Sequence, residues 1–192
     1  MLSKEQISQS KFWHVVQSLS SSKIFWITIF AILTAVAAQI AIPAKPIPFT
    51  LQTLMVLLSG ALLGSRNGAY SQFLYLAMGI IGLPVFAQIP EAPLGFARIF
   101  GPTGGYLLAF PIAAFLVGFL IERRKNYWSI VASMFIGELI VILFGVFYLS
   151  AFYTKNFEEA LKVGAAIFSV WMVVKVFIAA TIFKGLSGIS KK

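Results

Sequence analysis

Two residues in this chain carry charge where charge is expensive. Glu138 stands in the middle of a long apolar run, between Gly137 and Leu139, and Lys175 stands inside Val-Val-Lys-Val-Phe-Ile. A lone ionised side chain at the centre of a bilayer costs from about 2.5 kcal/mol upward, so such residues face a cavity or a partner. Two arrangements satisfy them. One is a structural Glu138–Lys175 salt bridge, which adds little stability because desolvation offsets the attraction. The other, which we favour, is a polar ligand site in which Lys175 offers three donors and Glu138 accepts. Trp171 lies one turn before Lys175 and reads as an apolar wall beside it or as a lipid-facing ring. Gln72 and Tyr75 share a helical face, and Gln52 follows Phe49-Thr50. These neutral polar groups suit a ligand or a helix–helix contact. Arg98 lies in a glycine-rich stretch, where a guanidinium grips a carboxylate or is simply solvated. The adjacent Gly104 and Gly105 let backbone approach a ligand closely.

Other chemistry is excluded by what the chain lacks. It has no cysteine and no aspartate, and its one histidine, His14, lies in the polar N-terminal stretch. Disulfides, thiolate metal sites and an imidazole-based triad inside a membrane are therefore ruled out. Gly101-Pro-Thr-Gly-Gly-Tyr106 lacks the Gly-Lys-Ser/Thr ending of a phosphate-binding loop. We therefore expect a non-enzymatic chain, without cofactor or metal, whose energy for uphill transport comes from an ion gradient or from partner subunits.

The elements that position these residues are membrane helices. The 192 residues are 59% hydrophobic and 11% charged, with a mean hydropathy of +0.92. Soluble domains run near 45–50% apolar and about 25% charged. The expected fold is an all-α integral membrane protein of one domain. Its net charge of +9 reads as loops facing anionic lipid rather than nucleic acid.

Residues 1–22 form a polar N-terminal segment, 23–185 the membrane domain and 186–192 a tail. Phe12, Trp13, Val15, Val16 and Leu19 suit a helix lying on the membrane or a frayed end. Lys4, Lys11 and Lys23 before Ala35-Val36-Ala37 suggest a signal peptide, but the apolar run continues past that point. Six apolar segments follow, over 24–42, 51–63, 69–81, 106–121, 128–152 and 163–183. The first is long enough to cross, at roughly 28 Å. The second and third reach only roughly 20 Å each and are joined by a turn over Gly64–Gly68. Short, broken segments of this kind point to a transporter's substrate site.

Between segments three and four, Gly82–Tyr106 holds five glycines and four prolines, which exclude a continuous helix. Its apolar residues can pack, so it reads as an ordered loop folded over something. Six crossings place both termini on one side. That side carries ten Lys and Arg against four on the other, so the termini are expected in the cytoplasm. Ala31 and Ala35 on segment one provide small residues for a close helix contact, within the chain or with a partner.

Four motifs occur in order: Phe49-Thr-Leu-Gln-Thr-Leu54, Gly60-Ala-Leu-Leu-Gly64, Tyr75 through Gly82-Leu-Pro-Val-Phe86, and Gly101-Pro-Thr-Gly-Gly-Tyr106. With them the chain resembles, over about residues 25–185, the BioY family. These are the biotin-specific substrate-binding subunits (S components) of energy-coupling factor transporters. The resemblance implies a six-helix S-component fold in a bacterial cell membrane that captures biotin from outside. It implies as partners a membrane-embedded coupling subunit, docked on a small-residue face that Ala31 and Ala35 match, and two cytoplasmic ATPases. The stretch from Ile42 to Thr50 looks like the family's lid.

One position departs from the pattern. Many members carry Asp-x-x-Lys in the last helix, with both residues contacting biotin. Here Lys175 matches, but Met172 stands where the aspartate is expected, and Glu138 is expected to supply the missing carboxylate. On this resemblance Glu138 and Lys175 meet the ureido ring. Trp171, Tyr75 and Phe49 wall the ring system, and Arg98, Gln52 or the Gly104–Gly105 amides hold the valerate carboxylate, with Thr50 beside Gln52. Two other readings stay open: a self-sufficient ion-coupled secondary transporter with Glu138 and Lys175 as its relay, and an S component for another vitamin.

Overall fold

The computed structural model describes residues 21–42, 47–88, 93–165 and 168–189. The N-terminal segment up to residue 20, residues 43–46 of the expected lid, residues 89–92 of the long loop and the last three residues lie outside this description. The elements in order are α1 (Lys23–Gln39), β1 (Ala41–Ile42), β2 (Phe49–Thr50), α2 (Gln52–Ile80), a 3-10 turn (Gly95–Phe100), α3 (Gly104–Arg123), α4 (Tyr127–Leu149), a π turn (Ser150–Thr154), α5 (Phe157–Ala165) and α6 (Phe168–Ile189). β1 and β2 pair antiparallel, with Ala41 opposite Thr50 and Ile42 opposite Phe49. This small flap joins α1 to α2.

α2 is two helices joined at a single reversal. Gly64 has φ 80°, ψ 176°, a conformation that costs any residue with a Cβ. Across it Gln52 meets Tyr75, Ser59 meets Gln72 and Gly60 meets Gly68, so the halves run antiparallel. The two short segments expected from the sequence are present, and their five-residue turn contracts to one residue. The close approach needs glycine. A Cβ on Gly68 would lie 2.7 Å from the Gly60 Cα, and one on Gly60 would lie 2.2 Å from the Ala114 carbonyl oxygen of α3. Glu122 of α3 closes the reversal, its Oε1 accepting from the Ser65 amide at 2.8 Å and its carboxylate from the Ser65 hydroxyl at 3.2 Å. It thereby caps the second half from a different helix. Replacing Gly68 with leucine should overpack this hairpin and cost about 1–3 kcal/mol. A thermal melt in detergent that matches wild type would contradict so tight a contact.

Among the described residues, three helices are long and apolar enough to cross a membrane: Gly104–Arg123, Tyr127–Thr154 and Val170–Ser187. α1, at 17 residues, is a shorter apolar helix. The last expected segment is corrected at its start. Residues 157–165 form a separate short helix, α5, and the long helix begins at Phe168. Asn156 caps α5 by accepting from the Glu158 amide at 2.9 Å, and Lys162 pairs with Glu158 one turn away at 2.7 Å. The apolar Val163-Gly-Ala165 end of α5 merges with α6 in any hydropathy reading.

Buried residues form two clusters. One surrounds Tyr75, Tyr106, Phe110, Val141 and Val146, the other Leu57, Val117, Met134, Val176 and Phe183. On α4, Met134 belongs to one cluster and Val141 to the other, and Glu138 falls between them.

Candidate functional site

Glu138 and Lys175 meet. The Lys175 Nζ lies 2.7 Å from the Glu138 Oε1, with Glu138 fully buried and Lys175 4% exposed. A third residue closes the cluster: the Thr53 hydroxyl donates to the same Oε1 at 2.9 Å and accepts from Lys175. Three helices supply these groups, α4 (Glu138), α6 (Lys175) and the first turn of α2 (Thr53). The arrangement satisfies one carboxylate oxygen, while the buried Glu138 Oε2 has no hydrogen-bond partner among the described residues. Burying a charged pair is tolerated only when geometry and hydrogen bonds offset desolvation, and an orphaned carboxylate oxygen is an acceptor still to be used. Met172, one turn before Lys175, is half-buried and packs against the core.

Thr53 also lines a small cavity of about 40 Å³, together with Thr50, Gln52, Arg98 and Thr103 on its polar side and Phe86, Tyr106 and Phe110 on its aromatic side. Arg98 is 4% exposed. Its terminal nitrogen donates to the Ala87 carbonyl at 2.6 Å, while its Nε and the nearby Thr103 hydroxyl have no partner among the described residues. Burial pushes the guanidinium below its ordinary value, because desolvation disfavours the charged form. Two unused donors beside one buried cation suit an anion with two oxygens.

A second, more apolar cavity of about 210 Å³ lies under the flap, lined by Phe49, Thr50, Trp171 and Lys175 with Ile40, Ala41, Ile42 and Leu51. Thr50, on β2, borders both cavities. Its hydroxyl donates to the Gln52 side-chain oxygen at 2.9 Å.

Seven of the ten sequence-derived candidates therefore gather around two neighbouring spaces: Gln52, Thr50 and Arg98 at the first, Phe49, Thr50, Trp171 and Lys175 at the second, and Glu138 behind Thr53. The others stand apart. Tyr75 is fully buried behind Gln52, whose amide nitrogen donates to its hydroxyl at 2.6 Å. The Tyr75 hydroxyl donates onward to the Val85 carbonyl at 3.2 Å. Gly104 and Gly105 line neither cavity, although their neighbours Thr103 and Tyr106 border the first, and the Gly104 amide is taken by the Gly101 carbonyl at 2.9 Å. Ala31 is fully buried in the core and Ala35 half-buried at its edge, while Ile32, Leu33 and Val36 face outward.

The glycine- and proline-rich loop is ordered where it is described. Its carbonyls are held by Gln39, which reaches Pro84 and Phe86 at 3.3–3.4 Å, by Tyr75 at Val85 and by Arg98 at Ala87. Such satisfaction is what a half-buried stretch without regular structure needs. Thr53 and Thr103 escaped the sequence reading. A threonine in Leu-Gln-Thr-Leu or in Gly-Pro-Thr-Gly has no property that separates a site residue from a packed one.

The chain is similar to known transport proteins. The family model described as the BioY family matches residues 9–192. A protein described as biotin transporter BioY from Thermotoga maritima is 39% identical over 154 residues, covering 80% of this chain and 89% of that one. A probable biotin transporter BioY from Pyrococcus horikoshii is 36% identical over 170 residues, covering 88% and 99%. A crystal structure of the S-component for biotin from an ECF-type ABC transporter superposes with a TM-score of 0.79 at 22% identity, covering 98% of this chain and 95% of that one. That likeness fixes the fold, and the family rests on the sequence matches. With its motifs in order and nearly its whole length accounted for, this chain belongs to the BioY family.

Proposed function

We propose that this chain is the biotin-binding subunit of an energy-coupling factor importer in the cell membrane. The relatives described as biotin transporters support the substrate. The observation that carries the reading is the polarity of the interior. One buried group of donors, Arg98 and Thr103, suits a carboxylate, and one donor–acceptor cluster, Glu138–Thr53–Lys175, suits a cyclic urea, with aromatic walls near them. Biotin has these features: a valerate carboxylate, a ureido ring with two N–H donors and a carbonyl, and an apolar thioether ring. In this pose Arg98 and Thr103 take the carboxylate. The Glu138 Oε2 accepts from a ureido N–H, replacing the carboxylate missing at Met172, and Lys175 donates to the ureido carbonyl. Trp171 and Phe49 wall the approach from the flap side.

In this reading the two halves of α2 join α1, α3, α4 and α6 as six membrane segments. Both termini are cytoplasmic, and the flap and the long loop face outward. The chain hydrolyses no nucleotide. A membrane coupling subunit and two cytoplasmic ATPases supply the energy, and docking on α1 uses Ala35 and the outward Ile32 and Val36, with Ala31 backing them from inside.

Isothermal titration of the purified chain against biotin, desthiobiotin, ring-opened analogues and other water-soluble vitamins tests this. Biotin should bind best, and desthiobiotin, which keeps the ureido ring, should bind better than ring-opened forms, because a site built to hydrogen-bond a polar group strongly rejects analogues without it. Equal affinity across the analogues would discard the pose, and preference for another vitamin would reassign the substrate.

A further inference from the structure

The 3-10 turn that carries Arg98 is held by two tyrosines from another helix. A six-residue turn leaves its last carbonyls without internal partners. Here the Arg98 carbonyl accepts from the Gly101 amide at 3.0 Å. The Ile99 carbonyl accepts from the Tyr148 hydroxyl at 3.1 Å, and the Phe100 carbonyl from the Tyr153 hydroxyl. The three consecutive carbonyls that begin at Arg98 are thus all fixed.

Two features make this possible. The first is the π turn. Five positions apart on a regular α-helix, two side chains point about 140° from each other. The wider i→i+5 turn over Ser150–Thr154 swings Tyr153 back toward Tyr148, and their rings lie 6.4 Å apart and 36° from parallel. Both hydroxyls can then reach successive carbonyls of one turn. The second feature is the glycine pair. A Cβ on Gly105 would lie 2.3 Å from the Tyr148 Cβ, and one on Gly104 would lie 1.8 Å from the Ile99 carbonyl oxygen and 3.3 Å from the Tyr148 ring. The start of α3 is therefore bare where Tyr148 crosses it to meet Ile99.

We propose that Tyr148 and Tyr153 are positioning residues for Arg98, a hydroxyl clamp that holds its guanidinium aimed at the ligand's carboxylate. This rests on the biotin-binding reading above and adds the residues that set its preference for the acid. The clamp touches no ligand. Its effect appears as discrimination between a carboxylate and a neutral group at the same position, which a purely structural tether would leave unchanged.

The test is titration calorimetry on the full chain in detergent with biotin and with biotinamide, whose carboxylate is replaced by a neutral amide. Wild type should prefer the acid. The Tyr148→Phe/Tyr153→Phe double variant keeps both rings, and its acid-to-amide preference should fall about tenfold, the scale of two lost hydrogen bonds, with amide affinity within about twofold of wild type. Gly105→Ala displaces Tyr148 without removing a hydroxyl and should lower the preference in the same direction. If the double variant does not fold, Tyr153→Phe alone, altered at a half-exposed ring, decides the matter through a loss of about threefold. A wild-type chain that binds biotin without preferring the acid overturns the clamp and the Arg98 assignment together. A chain that does not bind biotin removes the proposed function itself. A wild-type preference that the variants retain overturns the clamp alone.

Discussion

Lys175→Met should abolish measurable biotin binding, with an affinity loss of at least about a hundredfold, and should destabilise the chain by about 3–5 kcal/mol. The stability loss follows from burial. Glu138 is fully buried and shares its Oε1 between Lys175 and Thr53, and removing one partner of a buried pair leaves the other charge uncompensated. The binding loss follows from the missing donor. The two effects separate in the Glu138→Gln/Lys175→Met double variant, which removes both charges together. It should recover most of the stability, because replacing a buried pair by neutral groups is often neutral or better, and should still fail to bind biotin. Glu138→Gln alone keeps an acceptor for Thr53 and should weaken binding by about tenfold to a hundredfold. Melting curves in detergent and titration calorimetry on the three variants decide this. Wild-type biotin affinity in Glu138→Gln would reduce the pair to a structural tie and remove the substitution of Glu138 for the expected aspartate.

Arg98→Met should weaken biotin by about tenfold to two-hundredfold, the range for losing charge-assisted hydrogen bonds, and should bring biotin down to the affinity of its methyl ester. Arg98→Lys should restore little. One Arg98 nitrogen already serves the Ala87 carbonyl at 2.6 Å while Nε has no partner among the described residues, and a lysine has no fork to do both. Comparing acid and ester in each variant checks the assignment. An equal loss for acid and ester would mean that Arg98 holds the loop rather than the ligand.

How far the sequence could be read depended on the kind of signal each residue carries. Glu138 and Lys175 were legible because an ionised group in an apolar run is costly and therefore informative. Arg98 and the flap residues Phe49 and Thr50 were legible through their setting among glycines and prolines. The two halves of α2 were legible from their length, but the sharpness of their join was not, since Gly64-Ser-Arg-Asn-Gly68 suits a longer turn equally well. Thr53 was invisible because its importance comes from standing where three helices converge, a tertiary fact. Gly104 and Gly105 were singled out as a place where backbone lets a ligand approach closely. What approaches among the described residues is the Tyr148 ring and the Ile99 carbonyl, and residue type alone cannot say whether a glycine yields to a guest or to its own chain. Tyr148 and Tyr153, in an aromatic-rich stretch at the end of a helix, carry no sequence signal of a shared role, and only the π turn gives them a joint target.

The buried charges have an electrical consequence. Among the described residues, Glu138 and Lys175 cancel formally, and Arg98 leaves the interior with one positive charge. A monoanionic guest such as biotin brings the sum to zero. Crossing unaccompanied, such an anion would work against an inside-negative voltage at about 2.3 kcal/mol per 100 mV. Carried in this cradle under the proposed function, the loaded step moves no net charge, and the voltage acts instead on the return of the empty, singly positive interior.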